Sequence, residues 1–520
     1  MQLRYTLVDV WPPLAWLACC QGGGGPVDVF HGGGVEVSDD WFCEAVWDGP
    51  FARGDFDRTD LVFGSGGRRR NGVVTFVSSG STVDRLHSLE TEELTWVSNS
   101  LPCLLAMTGG TVDPTYPGYF DDFKSISRGL RRYSRGLATS AGTVVLTYYH
   151  NIAWDGQCLE EAFKPDVERP LATFAAYRAF LSRTIAGLAE NMSAPDRVGT
   201  LRLLGTISSG YDSATAAALA RPYGLQEAVS FGSSSSGDPD SGEIIADALG
   251  VRLTIFARHA WRAAEFPEVP FVAADAKGED VYFKGAEGML GGRLLLTGFH
   301  GDRVWDRRAT TNEDLVRGDQ SGLSLSEYRL RVGFLHCPLP FVGVRQARAI
   351  RALSRSPEMS SWDTGGHYSR PICRRILEEA GVPREAFGRW KKTASVLFFA
   401  QEGFLSPASL VDYRDWLASH APEWHHRGLT PPMLSADDPD PWRGPRHATA
   451  RLLEGLAHMA PRRLWYLRSA AQRIVILGRR ERLFHHLFPW AVELAKHRYE
   501  TLALEQRFEV PAHITAGAHG

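Results

Sequence analysis

The chain has 520 residues and a mass of 57.5 kDa, a length that predicts two or more domains and excludes a single small scaffold. Hydrophobic residues make up 44% and charged residues 22% of the chain, a balance typical of globular proteins and not of disordered or fibrous ones. The formal net charge of -3 provides no overall positive field for a polyphosphate backbone, so nucleic acid is not expected as a partner.

Cysteine usage and hydropathy predict where the protein works. The seven cysteines are an odd number, are scattered and include no C-x-x-C pair, which favours reduced thiols in the cytoplasm. The first apolar stretch, residues 10–20, lacks a basic lead-in and contains Pro12 and Pro13, so it resembles neither a signal peptide nor a membrane span. We therefore expect a cytoplasmic protein without a membrane partner.

Residues 1–165 predict a β-rich domain. Short alternating runs of apolar and polar residues indicate strands at 72–78, 93–97 and 142–149. Clusters of glycine and serine, such as residues 64–67, predict the turns between such strands. The pattern as a whole indicates an antiparallel layer.

Residues 166–400 predict an α/β domain. Apolar residues recur at three- and four-residue spacing between 174 and 188, which indicates a helix. Short apolar strands and helices then alternate, with strands at 201–207, 228–231, 252–256 and 293–296 and helices at 214–220 and 242–249. This order predicts a parallel sheet covered by helices.

Residues 401–520 predict a helical C-terminal extension in which arginines are interleaved with aliphatic residues. A solvated basic helix face explains this pattern better than an RNA- or membrane-binding arm, because the apolar stripe also needs burial. Over the whole chain the expected fold class is therefore α/β within an α+β arrangement.

The residues that carry chemistry are concentrated where the strand at 201–207 ends. A loop there leads directly into a helix of small residues and contains Ser208, Ser209, Gly210, Tyr211, Asp212 and Ser213. A strand, a tight loop and a helix N-terminus offer an anion free backbone N–H groups and the positive end of the helix dipole. Asp212 would repel that anion unless a divalent cation such as Mg²⁺ lay between them. The loop therefore predicts a phosphate site, although the G-K-[ST] ending of a Walker loop is absent.

This run resembles the S-G-G-x-D-S signature of the PP-loop ATP pyrophosphatases, which cleave ATP between its α and β phosphates. The resemblance implies that residues 208–213 bind the pyrophosphate part of ATP and that Asp212 helps to hold Mg²⁺. Ser209 stands where the family usually has glycine, and it adds both a Cβ and a hydrogen-bond donor. An ordinary serine and glycine turn with an N-cap is the alternative interpretation.

The run after the next predicted strand resembles the corresponding stretch of asparagine synthetases. By that resemblance, backbone groups of Val229, Ser230 and Phe231 would bind the adenine edge of ATP. Asp240 and Glu243 are expected to cap the helix at 242–249.

Residues 293–302 look like the L-x-G-x-G-x-D element of the same family. Gly298 is its first glycine, His300 replaces its second glycine, and Asp302 corresponds to the second Mg²⁺ carboxylate. Because the carboxyl ends of parallel strands meet at one edge of a sheet, Asp212 and Asp302 are expected to converge there.

A third run, residues 368–392, predicts a helix ending at Gly381 and then a basic loop. Arg389-Trp390-Lys391 matches the R-x-K spacing of asparagine synthetases and β-lactam synthetases. The resemblance implies that Lys391 stabilises the charge that builds up during adenylation and amide formation. Lys392 is the alternative cation at the nucleotide, and a solvent-exposed basic loop is the alternative interpretation.

The chain departs from the family at the position that would activate the amine. Phe299 stands where asparagine synthetases have Glu and β-lactam synthetases have Tyr, and a phenyl ring cannot take a proton. His300 is the nearest titratable replacement, with a purely structural role as the alternative. Tyr211 is a more remote candidate.

Position 2 carries a second departure. Glutamine-dependent asparagine synthetases have a catalytic cysteine after Met1, whereas this chain has Gln2. The resemblance therefore implies that residues 1–165 form an inactive, Ntn-like amidotransferase domain, as in β-lactam synthetases.

Together these features predict an ATP-dependent carbon–nitrogen ligase that adenylates a carboxylate, releases pyrophosphate and transfers the acyl group to an amine. The substrates would be small-molecule or peptide carboxylates and amines, joined between molecules or within one, as in lasso-peptide cyclases and β-lactam synthetases. A homodimer is compatible with this prediction. A PP-loop enzyme that modifies tRNA and a catalytically impaired scaffold are the alternatives.

Overall fold

The computed structural model describes residues 1–388, 394–396, 405–432, 443–459, 467, 470, 471, 474 and 483–500, except 93, 235, 236, 238, 310, 311 and 367. Its strands are β1 Leu3–Leu7, β2 Trp16–Gln21, β3 Val27–His31, β4 Glu36–Ser38, β5 Trp41–Trp47, β6 Val62–Arg70, β7 Val73–Val77, β8 Arg85–Glu90, β9 Leu94–Ser98, β10 Gly136–Thr139, β11 Gly142–Tyr148, β12 Asn151–Trp154, β13 Leu159–Ala162, β14 Arg202–Thr206, β15 Glu227–Ser230, β16 Arg252–Ile255, β17 Arg293–Thr297 and β18 Leu335–Pro338. Its α-helices are α1 Leu101–Thr108, α2 Tyr119–Lys124, α3 Phe174–Met192, α4 Asp212–Ala220, α5 Glu243–Leu249, α6 Val269–Asp275, α7 Gly301–Val304, α8 Leu325–Val332, α9 Ala347–Ser354, α10 Pro371–Glu379, α11 Pro407–Ser419, α12 Ala421–His426, α13 Arg443–Met459 and α14 Leu487–Lys496.

The first 162 residues form two sheets rather than one layer. A seven-stranded sheet has the order β1-β3-β2-β9-β8-β11-β10, and a six-stranded sheet has the order β13-β12-β7-β6-β5-β4. Neighbouring strands are antiparallel except β1 and β3, which are parallel. Residues from both sheets share one buried cluster that includes Trp16, Phe42, Phe76 and Trp154. The predicted β-rich character of this part is confirmed.

The glycine cluster at 64–67 lies inside β6, so the prediction of a turn there is wrong. Gly64 has a φ of +104°, and a Cβ at this position would lie 2.0 Å from the carbonyl oxygen of Glu44 in β5. Glycine is needed here because two strands approach each other closely. The same residue type marks turns, so composition alone does not distinguish the two cases.

The second region is built on a five-stranded sheet with the order β16-β15-β14-β17-β18, in which every neighbouring pair is parallel. Both faces of this sheet are covered. In β17, Leu294 and Leu296 belong to one buried core and Leu295 to the other, as the alternation of side chains along a strand requires. The predicted parallel sheet and mixed α/β class are confirmed, and β18 adds an edge strand that was not predicted.

The predicted helix near residue 174 is α3, and each apolar position in its pattern is buried, from Phe174 to Leu188. Beyond residue 400, α11 to α14 confirm a helical segment within the described residues. α14 is packed into the main core: the ring of Phe488 lies 4.7 Å from Tyr119 and 5.0 Å from Phe123 in α2. This helix is therefore part of the core that contains the seven-stranded sheet.

All seven cysteines are free, six of them buried and Cys158 exposed. Among the described helices, none combines the length and the apolar character needed to cross a bilayer.

Candidate functional site

The predicted phosphate loop lies at the carboxyl end of β14, where α4 begins at Asp212. Strands β15 and β17 flank β14, so their following loops reach the same edge of the sheet. One pocket at this edge is lined by residues from all three strand ends, including the predicted residues Ser208, Gly210, Tyr211, Asp212, Ser213, Val229, Ser230, Phe231, Gly298, His300 and Asp302. The structure therefore brings together predictions that were 90 residues apart in sequence.

Hydrogen bonds within the loop shape the floor of this pocket. The hydroxyls of Ser208 and Ser213 are 3.0 Å apart, and the Ser208 amide donates to Ser213 Oγ at 3.2 Å. The Gly210 amide donates to Ser208 Oγ at 3.3 Å. These bonds fix the Ser208 and Ser213 hydroxyls beside the N-terminus of α4, where the first helical N–H groups have no intrahelical acceptor, an arrangement that suits an anion.

Ser209 is turned to a different partner. Its amide and its hydroxyl donate to Asp240 Oδ1 at 2.9 and 2.6 Å. Asp240 therefore does not cap α5, whose N-cap is Gly242 without a side-chain cap bond, and that prediction is wrong. Glu243 lies in the first turn of α5, where its charge suits the helix dipole. Since the carboxylate of Asp240 lies within reach, serine at position 209 gains a hydrogen bond that glycine could not make.

Asp212 forms an ion pair with the guanidinium of Arg370, a residue to which sequence analysis gave no role. The Arg370 side chain is only 2% exposed, and its guanidinium carbon lies 5.0 Å from the centroid of the Tyr368 ring. Burial alone would lower the pKa of Arg370, but Asp212 raises it, so the guanidinium stays charged. Arg370 and Asp212 both line the pocket, which places a positive charge beside the phosphate loop.

Close packing joins the loops that follow β14 and β17. A Cβ on Gly298 would lie 2.3 Å from the carbonyl carbon of Asp212, and one on Gly301 would lie 2.4 Å from Asp212 Cγ. Only glycine fits at such distances, and the contact brings Asp302 to the pocket that Asp212 also lines.

His300 is buried at the start of α7 with a φ of +73°, and its ring stacks on Phe341 at 4.6 Å. Burial lowers its pKa to about 3, and the nearby charge of Arg317 acts in the same direction. The imidazole is therefore neutral at physiological pH and a poor proton acceptor, which disfavours the predicted role as a base.

The Tyr211 hydroxyl is also poorly suited to act as a base. It accepts a hydrogen bond from Arg374 at 2.8 Å, and the ring packs 5.0 Å from Tyr368. Burial raises the pKa of this phenol. Tyr211 thus lines the pocket while its hydroxyl is bound to Arg374.

An aromatic wall, which sequence analysis missed in part, bridges the ends of β15 and β17. The rings of Tyr282 and Phe283 lie 4.6 and 5.1 Å from Phe231, and Phe283 lies 6.5 Å from Phe299. All four line the pocket. The Tyr282-Phe283 pair carried no motif of its own and could only be found from the fold.

The donors at the pocket fit the chemistry of Mg²⁺. Asp212 and Asp302 supply two carboxylates, and the serine hydroxyls supply neutral oxygens. Mg²⁺ commonly uses one or two carboxylates together with water and substrate phosphates. A closed cage of three or more His, Cys, Asp or Glu ligands is absent from the residues that the structure describes.

Lys391 and Lys392, together with Arg389, lie outside the described residues. Both flanks of that segment contact the site: the Gly388 amide donates to the Ser209 carbonyl at 3.0 Å, and Ala394 and Ser395 line the pocket. Their predicted roles stay predictions.

Comparison with known proteins finds no family model that matches this chain and no curated protein that matches it.

Proposed function

We propose that the protein is an ATP-dependent ligase of the asparagine synthetase type, which adenylates a carboxylate and transfers the acyl group to an amine. The observation that carries this proposal is the convergence of three separately predicted elements, after β14, β15 and β17, on one pocket. If residues 208–213 were only an ordinary serine and glycine turn, nothing would require the other two elements of the family pattern to line the same pocket.

In the first step, a carboxylate oxygen of the substrate attacks the α-phosphorus of ATP and the bond to the β-phosphate breaks. The Ser208 and Ser213 hydroxyls and the first N–H groups of α4 would bind the departing pyrophosphate, because they lie together at the helix N-terminus. Arg370 would supply a fixed positive charge beside it. Mg²⁺, if held by Asp212 and Asp302, would neutralise charge on the phosphates.

In the second step, the amine attacks the acyl-adenylate and AMP leaves. Lys391 or Lys392 would stabilise the negative charge in both steps. The two-sheet region would then be an inactive, Ntn-like amidotransferase domain. The division at residues 165 and 400 and a cytoplasmic location belong to the same proposal.

A catalytically impaired scaffold is the second candidate, favoured by Phe299 and by the low pKa of His300. Against it, both predicted Mg²⁺ carboxylates and the loop hydroxyls line the pocket. A tRNA-modifying enzyme receives no support from the net charge of -3.

The decisive experiment is carboxylate-dependent exchange of labelled pyrophosphate into ATP, measured over a panel of metabolites and peptides. Asp212→Ala should abolish exchange, whereas Asp247→Ala, on the exposed side of α5, should leave it unchanged. Exchange that survives Asp212→Ala, or no exchange with any carboxylate, would contradict the proposal. ATP turnover that disappears on nuclease treatment would instead support the tRNA-modifying alternative.

A further inference from the structure

The loop at 317–322 forms the wall of the pocket beside Phe299. Asp319 and Ser321 line the pocket together with Phe299 and Asp302. The backbone of Gly322 lies against the phenyl ring, because a Cβ there would be 3.0 Å from Phe299 Cδ2. This wall therefore faces the end of β17, where the activated carboxylate would have to meet its amine.

Two anchors fix this loop in place. The buried Arg317 donates to the Thr82 carbonyl, in the two-sheet region, at 3.0 Å and also donates to the Ser321 carbonyl. The Gly322 amide donates at 2.9 Å to Asp280 Oδ2, which also accepts from Ser324 Oγ at 2.6 Å. A side chain on a loop held at both ends is positioned before a substrate arrives, which favours a catalytic use.

The carboxylate of Asp319 differs from its neighbours in the pocket. Asp212 is paired with Arg370, and Asp240 accepts two bonds from Ser209. Asp319 is exposed and its Oδ1 accepts one bond, from the Ser321 amide at 3.2 Å. Within the described residues no cation forms a direct ion pair with it, although its charge partly offsets the burial that lowers the pKa of Arg317 and Lys277. The carboxylate oxygens are therefore available to a cationic or proton-donating ligand.

Phe299, which stands at the acceptor position of the family pattern, and the two replacements predicted for it are unsuited to accept a proton. Phe299 has no titratable group, the Tyr211 hydroxyl is bound to Arg374, and the buried ring of His300 stacks on Phe341. Amide formation from an amine nevertheless needs an acceptor for one proton.

We infer that Asp319 binds the attacking amine and accepts its proton during amide formation, an inference that rests on the function proposed above. The amine nitrogen bonds to the acyl carbon, the bond from that carbon to the adenylate oxygen breaks, and AMP leaves. The proton moves from the nitrogen to the Asp319 carboxylate. Because Phe299 forms the adjacent wall, the ligand class is a primary amine carried on an apolar group.

The test separates the two half-reactions in Asp319→Asn, with Asp247→Asn as the matched control. With a carboxylate identified by pyrophosphate exchange, we expect exchange in Asp319→Asn to stay within about twofold of wild type and amide formation from n-butylamine to fall about 100-fold. Hydroxamate formation from hydroxylamine should fall less than about fivefold, because its nitrogen is less basic and, after attack, loses its proton to water more easily than an alkylamine does.

The possible results are distinguishable. Loss of exchange equal to the loss of amide formation, or amide formation unaffected by Asp319→Asn, would overturn the inference and leave the ligase proposal intact. A wild-type enzyme that yields the hydroxamate but no amide from n-butylamine would overturn it too. Absence of pyrophosphate exchange in wild type would remove the proposed function itself. Urea unfolding of the variant tests that it is folded.

Discussion

Arg329 and Arg370 both have side chains that are 2% exposed and bind carboxylates, but they lie in different surroundings. Arg329, in α8, donates to Glu44 at 2.6 and 3.1 Å and to Asp84 at 3.0 Å, so it joins the parallel-sheet region to the two-sheet region. Glu44 also accepts from Ser65 at 2.5 Å. Arg370 contacts Asp212, whose side chain is 22% exposed at the pocket.

The difference indicates that these two arginine–carboxylate ion pairs have different uses. Burial alone would lower the pKa of Arg329, but Asp84 and Glu44 raise it, so the guanidinium stays charged between the two regions. The Arg370 pair opens on a pocket, so a phosphate or a cation could replace either partner. We therefore expect substitutions at Arg329 to change stability and those at Arg370 to change activity.

The largest expected effect is on Arg329→Met, which leaves Glu44 and Asp84 buried without their cation. We expect the free energy of unfolding to fall by about 3–5 kcal/mol, measured by urea denaturation. Arg331→Met, on the same helix but partly exposed, should change it by less than about 0.5 kcal/mol. Equal losses in the two variants would contradict a structural role for this ion pair.

Arg370→Met should separate activity from stability. Pyrophosphate exchange is expected to fall about 100-fold, because a charge beside the phosphates is lost. The free energy of unfolding should fall by less than in Arg329→Met, because the Asp212 side chain is 22% exposed and water can reach it once the guanidinium is gone. A stability loss as large as that of Arg329→Met, with exchange intact, would place Arg370 among the structural residues.

Lys164 is a third buried basic residue, but its hydrogen-bond acceptors are neutral oxygens and not carboxylates. Its Nζ donates to the Ser78 carbonyl at 2.8 Å and to Asn151 Oδ1 at 2.9 Å, and burial lowers its pKa to about 7 although Asp60 opposes this. In the unfolded chain Lys164 keeps its proton up to about pH 10. Between about pH 7 and about pH 10 the unfolded chain therefore binds more protons than the folded chain. The free energy of unfolding should therefore rise with pH, by up to about 1.4 kcal/mol per pH unit, from this residue.

Urea denaturation of wild type and Lys164→Met between about pH 7.5 and about pH 9 measures this contribution as the difference in slope. Parallel curves would show that Lys164 keeps its proton in the folded protein.

The smallest effect is expected for Tyr211→Phe, which removes the hydroxyl that accepts from Arg374. Urea denaturation should show a loss of about 1 kcal/mol. Pyrophosphate exchange should stay within about twofold of wild type, because this hydroxyl is bound to Arg374. A large loss of exchange would return Tyr211 to the ATP-binding residues.

Local patterns predicted the elements that depend on local physics. The change from β14 to α4 was visible because an apolar strand, a loop of hydroxyls and a run of alanines follow one another. The apolar spacing of α3 was visible for the same reason. Strand β18, Leu-His-Cys-Pro, was missed because it has four residues, one of them proline, and a strong strand signal needs more.

Contacts between distant segments could not be predicted. Arg370 and Asp319 belong to no sequence motif. Their proposed roles depend on the fold, which places Arg370 beside Asp212 and Asp319 in the pocket that Phe299 also lines. Asp240 precedes α5 closely enough to suggest a cap, yet the amide of Ser209 on another loop binds it instead.

The position of α14 has a consequence for biosynthesis. Tyr499 accepts a hydrogen bond from Ser100 at 3.1 Å across 399 positions, and its carbonyl accepts from Trp11 Nε1 at 3.3 Å. The seven-stranded sheet thus lacks part of its covering until the ribosome has made residues 487–499. Apolar surface that is buried in the folded protein therefore stays exposed to solvent for tens of seconds at ordinary elongation rates. Nascent chains stalled before that point should bind chaperones, and released full-length chains should not.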